Sequence, residues 1–248
     1  MKSVLTYFFL VFSILSCNSD KMGKNDKSNH NVTNLADKSE GWENLLSKGD
    51  LSDWVILGSD KANFYLDNGI LVGETQKNIP NSFIATKKEY EDFILELDFK
   101  VASELNSGVQ IRSGTYQKET TTNYLTGKLE ESERTWEKGR VYGYQIEIDA
   151  SSRAWTGGFY EEGGRGWLQT LSDNEAARNA YNNEGWNKFK IIANDNYFQT
   201  WLNDVRASEI YDNQKRSGFI AFQLHSTNLD ELIGKKIMFK DIKIMEIP

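Results

Sequence analysis

From Phe93 to Val101 apolar and polar side chains alternate: Phe93, Leu95, Leu97, Phe99 and Val101 fall on one side, Glu96, Asp98 and Lys100 on the other. A period of two is the mark of a strand with one buried face. Phe64–Leu66 and Ile70–Val72 flank Asp67-Asn68-Gly69, and Asn-Gly between apolar runs predicts a tight hairpin. Phe189–Ala193 and Tyr197–Leu202 flank Asn194-Asp195-Asn196 and predict a second. A last strand runs from about Ile237 to Ile247, its alternation slipping at Lys240-Asp241, which predicts a bulge. One short helix is expected after Ser172, where Ser172-Asp173-Asn174-Glu175 has the form of a capping box and Gly185 stops the segment. Many strands and one surface helix predict an all-β sandwich. Two stretches break the rhythm and read as long loops, the polar Gly114–Gly139 and the glycine-rich Thr156–Gly166.

The N-terminus follows another pattern. Val4–Leu15 is an almost unbroken apolar run behind Lys2, closed by Leu15-Ser16-Cys17. It is too short for a bilayer, which needs roughly 20 apolar residues, and it has the shape of a secretory signal. Leu-Ser-Cys resembles a bacterial lipobox, which implies cleavage before Cys17 and acylation of its thiol. Cys17 is the chain's only cysteine, so no internal disulfide can form. Residues 18–40 are polar and lack aromatic residues; such a segment cannot bury enough surface to fold and reads as a tether. The division is therefore a signal peptide at 1–16, an acylated cysteine and tether at 17–40, and one β domain at 41–248, held at the cell envelope by lipid alone. His30 falls in the tether. A net charge of −7 with no basic run argues against nucleic acid.

Three strands carry polar residues suited to chemistry. Gln110 and Arg112 share a face; so do Gln145, Glu147 and Asp149; so do Gln223 and His225, because strand neighbours two apart project the same way. If these strands adjoin, amides, acids, a guanidinium and an imidazole converge, and Trp155, Tyr160 and Trp167 lie close in sequence. Amides bond hydroxyls in several directions, and aromatic rings cover the C–H faces of sugars. A wet sheet face with no function, and tryptophans that serve the core, are the plainer readings; core is the expected place of Trp54 and Trp201. A glycosidase with two opposed carboxylates fits poorly, since Glu147 and Asp149 are neighbours on one side.

The ordered set Gly41-Trp42, Leu51-Ser52-Asp53-Trp54, Asn106-Ser107-Gly108-Val109-Gln110-Ile111-Arg112-Ser113, Tyr144-Gln145-Ile146-Glu147-Ile148-Asp149, Glu184-Gly185-Trp186-Asn187, Trp201-Leu202-Asn203-Asp204, Phe222-Gln223-Leu224-His225-Ser226 and Phe239-Lys240-Asp241-Ile242 resembles the 3-keto-disaccharide hydrolase domain family. Asp204 stands where that family commonly has glycine. The resemblance implies a concanavalin-like jelly roll and glycosides oxidised at C3 as substrates. A C3 ketone acidifies the C2–H, so a base can drive elimination of the C1 substituent, and water can then add. On that basis Glu147 and His225 are the candidate base and leaving-group acid, in either order. Arg112 or a divalent cation held by Glu147, Asp149 and His225 would polarise the ketone. Gln110, Gln145, Asp149, Gln223, Trp155, Tyr160 and Trp167 would bind substrate. The competing reading is a sugar-binding module without catalysis; a purely structural envelope protein accounts least well for the convergent polar face.

Overall fold

A computed structural model describes residues 41–248; Cys17 and the segments expected to be a signal peptide and a tether lie outside the described residues. In chain order the strands are β1 (Glu43–Asn44), β2 (Trp54–Leu57), β3 (Asn63–Asp67), β4 (Ile70–Glu74), β5 (Ser82–Tyr90) and β6 (Phe93–Val101). There follow β7 (Asn106–Thr115), β8 (Thr120–Leu125), β9 (Glu131–Trp136), β10 (Val141–Asp149), β11 (Phe159–Glu162) and β12 (Gly166–Gln169). After a six-residue helix, α1 (Glu175–Ala180), come β13 (Asn187–Asn194), β14 (Tyr197–Leu202), β15 (Val205–Tyr211), β16 (Gly218–Leu224) and β17 (Lys236–Glu246). One sheet has the order β15-β14-β13-β6-β17-β4-β3, with β1 added beside β17. The other has nine strands in the order β2-β5-β16-β7-β10-β11-β12-β8-β9. The expected all-β sandwich of concanavalin type is what forms.

The alternation read from sequence decides what lies between the sheets. Leu95, Leu97 and Phe99 of β6 are buried, as are Phe189 and Ile191 of β13 and Val109, Ile111, Tyr144, Ile146, Ile148, Phe222 and Leu224 of the nine-stranded sheet. Phe222 meets Phe239 from the opposite sheet with ring centroids 4.4 Å apart. Fully burying a side chain of this size contributes about 1.5–3 kcal/mol. Both hairpins form where the turn residues place them, with Asn68 and Gly69 at φ 49° and 81° and Asp195 at φ 52°. The β14–β15 turn keeps left-handed φ at Asn203 and Asp204 (49° and 66°) although Asp stands at the second position. The bulge in β17 falls between Lys240 and Lys243, with Asp241 at φ 51°.

The structure departs from the sequence reading in four places. Gly114–Gly139 is not a loop: β8 and β9 pair throughout, from Thr120↔Trp136 to Leu125↔Glu131. Both faces of this hairpin carry polar side chains, so the buried-face signal that betrays a strand is missing. Thr156–Gly166 likewise contains β11, paired to β10 from Gly143↔Glu162 to Ile146↔Phe159. The helix is shorter than expected and is capped by Asn174, whose Oδ1 accepts from Ala177 N at 3.1 Å. It stops at Ala180 because Tyr181 turns to extended backbone and stacks against Phe99. Finally, Trp54 is in the core, but Trp201 is only half-buried and donates its Nε1 to Gln199 Oε1 at 2.9 Å.

Candidate active site

The outward face of the nine-stranded sheet holds a cleft of about 470 Å³. Its floor comes from the centre of the sheet: Asn106 from β7, Gln145 and Glu147 from β10, Gln223 from β16 and His225 just beyond it. One wall is built by β8, β9, β11 and β12, through Tyr124, Arg134, Trp136, Tyr160, Glu162 and Trp167. Pro80 and Asn81, ahead of β5, line it as well.

The floor is an ordered chain of amides. Register sets Gln145 opposite Gln110 and Glu147 opposite Gly108. A side chain on Gly108 would collide with that of Gln145, its Cβ 2.5 Å from Gln145 Cδ; the bare glycine lets the amide lie across β7. Gln145 donates Nε2 to Glu147 Oε2 at 2.8 Å. Its Oε1 must then accept, and does so from Gln110 Nε2 at 2.6 Å and Gln223 Nε2 at 3.0 Å. Gln110 Oε1 accepts in turn from Ser113 Oγ at 2.9 Å. One acceptor is left over: Gln223 Oε1 is buried without a hydrogen-bond partner.

Glu147 is 5 % exposed. Besides Gln145 it receives Asn106 Nδ2 on Oε1 at 2.6 Å, and Arg153 Nη2 stands 3.8 Å from the same oxygen. Burial outweighs these donors and, with some repulsion from Asp149, pushes the carboxyl up to about 7. A carboxyl poised there can both take and return a proton near neutrality. His225 is half-buried at the end of the floor. Its Nδ1 lies 2.7 Å from the Ser226 carbonyl oxygen, which can only accept. Nδ1 therefore carries the hydrogen, and Nε2 is the ring atom left for exchange.

Several residues picked from the sequence lie elsewhere. Arg112 does not face the cleft. It is the extra residue of a bulge in β7: β16 skips from Phe219↔Ser113 to Ala221↔Gln110, and β10 slips between Tyr142 and Tyr144 at the same level. At φ 44° its side chain turns to the other face and lies over the Phe198 ring at 4.8 Å. There it donates to the carbonyls of Glu91, Asp195 and Lys215 and to Asp92 Oδ1, all within 3.0 Å. It pins three connections and cannot polarise a ketone in the cleft. Gln110 is fully buried behind Gln145. Asp149 is occupied by Arg153 Nε at 2.7 Å and by the amides of Ser151 and Trp155. Burial raises its pKa, but these donors win and hold it below the ordinary value. Trp155 packs in the core, edge-on to Trp167 at 4.8 Å. The cation site proposed from Glu147, Asp149 and His225 is not assembled: among the described residues no group of three or more His, Cys, Asp or Glu is placed to hold a metal ion, and Asp149 is committed to protein donors.

Sequence reasoning missed Asn106, Tyr124, Arg134, Trp136, Arg140, Arg153 and Glu162. Asn106 shares a face with Gly108 and Gln110 and was findable by alternation. The rest sit in segments read as loops or beside them.

The sequence profile of the 3-keto-alpha-glucoside-1,2-lyase-like domain matches residues 41–245. No curated protein matches the chain. Among solved structures, a proposed glycosyl hydrolase from Parabacteroides distasonis ATCC 8503 superposes with a TM-score of 0.52 at 18% identity, over 85% of this chain and 96% of its own. A Bacillus subtilis protein of unknown function with a galectin-like fold gives a TM-score of 0.52 at 13% identity, over 83% and 94%. At these identities the two structures speak to the fold.

Proposed function

The chain belongs to the 3-keto-alpha-glucoside-1,2-lyase-like family, and from that premise we propose that it cleaves glycosides carrying a ketone at C3, by elimination across C1–C2 followed by addition of water. Membership gives a carbohydrate-related function; the reaction is our reading of the cleft. The observation that carries it is Glu147, a buried carboxyl raised to about 7, held by Asn106 and Gln145 in a polar cleft.

In this reading Glu147 removes the proton from C2. The electron pair left there forms the C1–C2 double bond, conjugated with the C3 ketone, and the C1–O bond breaks. The departing oxygen takes a proton from Nε2 of His225, the ring nitrogen that the Ser226 carbonyl does not engage. Water then adds at C1, giving up a proton to His225 Nε2 while Glu147 returns its proton to C2, and the 3-keto sugar is released with both groups reset. Arg153, beside Glu147, replaces Arg112 as the cation that stabilises charge on the ketone oxygen. Gln223 Oε1 receives a sugar hydroxyl, and Tyr160 and Trp167 wall the ring. We also propose, from the N-terminal sequence, that the enzyme is exported and anchored through Cys17.

The test gives the full chain a 4-nitrophenyl 3-keto-glucoside beside the unoxidised glucoside, each with and without chelator. Release from the ketone alone is the expected result, its rate climbing as pH rises through about 7 while Glu147 loses its proton, because 4-nitrophenolate departs without needing a proton from His225. Release from neither, with measurable binding of both, would favour the second reading that the galectin-like architecture keeps alive, a sugar-binding module.

A further inference from the structure

Neutral sugar hydroxyls account for the amide floor, but not for the cationic wall. Arg134, on the cleft side of the β8–β9 hairpin, lies 4.3 Å over the Trp136 ring and 5.7 Å from the Tyr124 centroid. Both rings are fixed. Trp136 is buried and donates Nε1 to Thr122 Oγ1 at 2.9 Å; the Tyr124 hydroxyl shares a hydrogen bond with Tyr160 at 2.8 Å. Arg134 is itself exposed, and its guanidinium rests on these rings at the junction of the main cleft and a neighbouring hollow of about 440 Å³, which shares Pro80, Asn81, Trp136 and Arg140 with it.

The other two arginines of the cleft have carboxylates: Arg140 has Glu162 and Arg153 has Asp149. Among the described residues no carboxylate pairs with Arg134, and Arg140 Nε, 5.4 Å above the same indole by its guanidinium carbon, is buried without an acceptor. Two guanidinium groups on one ring therefore have unused donors, in a protein whose net charge is −7. A planar fork laid against an indole suits a carboxylate or sulfate, which it can bind through two parallel hydrogen bonds.

We propose that Tyr124 and Trp136 present Arg134 as an anion-binding fork, and that the glycoside taken by this cleft carries a negatively charged substituent, a hexuronate carboxylate or a sulfate ester. This rests on the glycoside reading of the cleft, but it is measured by binding and needs no turnover. The full chain would be titrated calorimetrically at low salt with 4-nitrophenyl glucoside, the matching glucuronide and the glucoside 6-sulfate. At least one anionic ligand should bind about tenfold more tightly than the neutral one, with the advantage shrinking as salt rises. Whichever anion leads identifies the source of the charge. Arg134→Gln should bring the anionic-to-neutral ratio to within about twofold of unity, and Arg134→Lys should keep part of it, as charge without the fork. Equal binding of all three ligands, binding of none, a preference that survives Arg134→Gln, or a loss shared equally by all three ligands would each overturn the proposal. An intact preference with no release from the oxidised forms would instead refute cleavage and leave the fork standing.

Discussion

Two buried charges sit on opposite faces of the same sheet and are treated in opposite ways. Arg112, at the bulge, is 1 % exposed and has four acceptors around its guanidinium, one of them the Asp92 carboxylate. Glu147, in the cleft, is 5 % exposed and has two amide donors, with its nearest cation 3.8 Å away. The first charge has a partner on each of its three nitrogens and is buried away from any ligand. The second is under-compensated, so its proton is held loosely near neutrality, and beside it Gln223 keeps an unused acceptor. In the sequence both look alike, polar residues on the outward side of an alternating strand. What separates them is whether the protein has satisfied them.

The sharpest way to break this contrast is to remove the carboxylate. Glu147→Gln should lower release from a 3-keto-glucoside by roughly 10²–10⁴-fold, the usual contribution of a positioned acid–base group, with circular dichroism unchanged. Full activity in that variant would sink the assignment. Arg112→Ala should do the reverse. Removing Arg112 strips Asp92, 23 % exposed, and three backbone carbonyls of a donor, a loss of about 1–3 kcal/mol for each acceptor that stays buried, read as a fall in the urea midpoint, while turnover per folded molecule at low temperature stays near that of the parent.

The Glu147 carboxyl also makes the stability of the fold depend on pH. Its proton is held to about 7 in the fold against 4.5 for an unperturbed glutamate. Between those values the folded chain keeps a proton that the unfolded chain loses, so stability falls as pH rises across that window and levels off above it. The size is on the order of 2–4 kcal/mol. Denaturation of the parent from pH 4 to 8 should show this decline relative to Glu147→Gln; parallel curves would show that burial does not hold the proton.

How far the sequence carried follows from the same physics. Periodicity placed the strands whose inner face is apolar, two hairpins and the β17 bulge, because those signals are local. It brought Gln145, Glu147, Gln223 and His225 to one cleft, because alternation holds along β10 and β16. It failed at Arg112, where one inserted residue reverses the face. The hint was there: Gly143 and Gly218 lie in the strands on either side, each where a Cβ would strike Ser113 or Arg112 backbone within 2.6 Å. It failed at Arg134 and Trp136 because the β8–β9 hairpin has no buried face to announce it.

The smallest effect tests the unused acceptor. Gln223→Met keeps the length and gives up one hydrogen bond to Gln145, worth about 0.5–1.5 kcal/mol, but it also removes a buried oxygen that has no partner. The two changes offset, so the thermal midpoint should move little. Ligand binding should nevertheless weaken by about tenfold, the cost of a lost hydroxyl contact. The same substitution at Arg112 would strip four filled bonds and cost far more stability. Should Gln223→Met destabilise the fold as Arg112→Met does while binding stays unchanged, Gln223 would belong with Arg112, and an unsatisfied atom would no longer mark where this protein meets a sugar ligand.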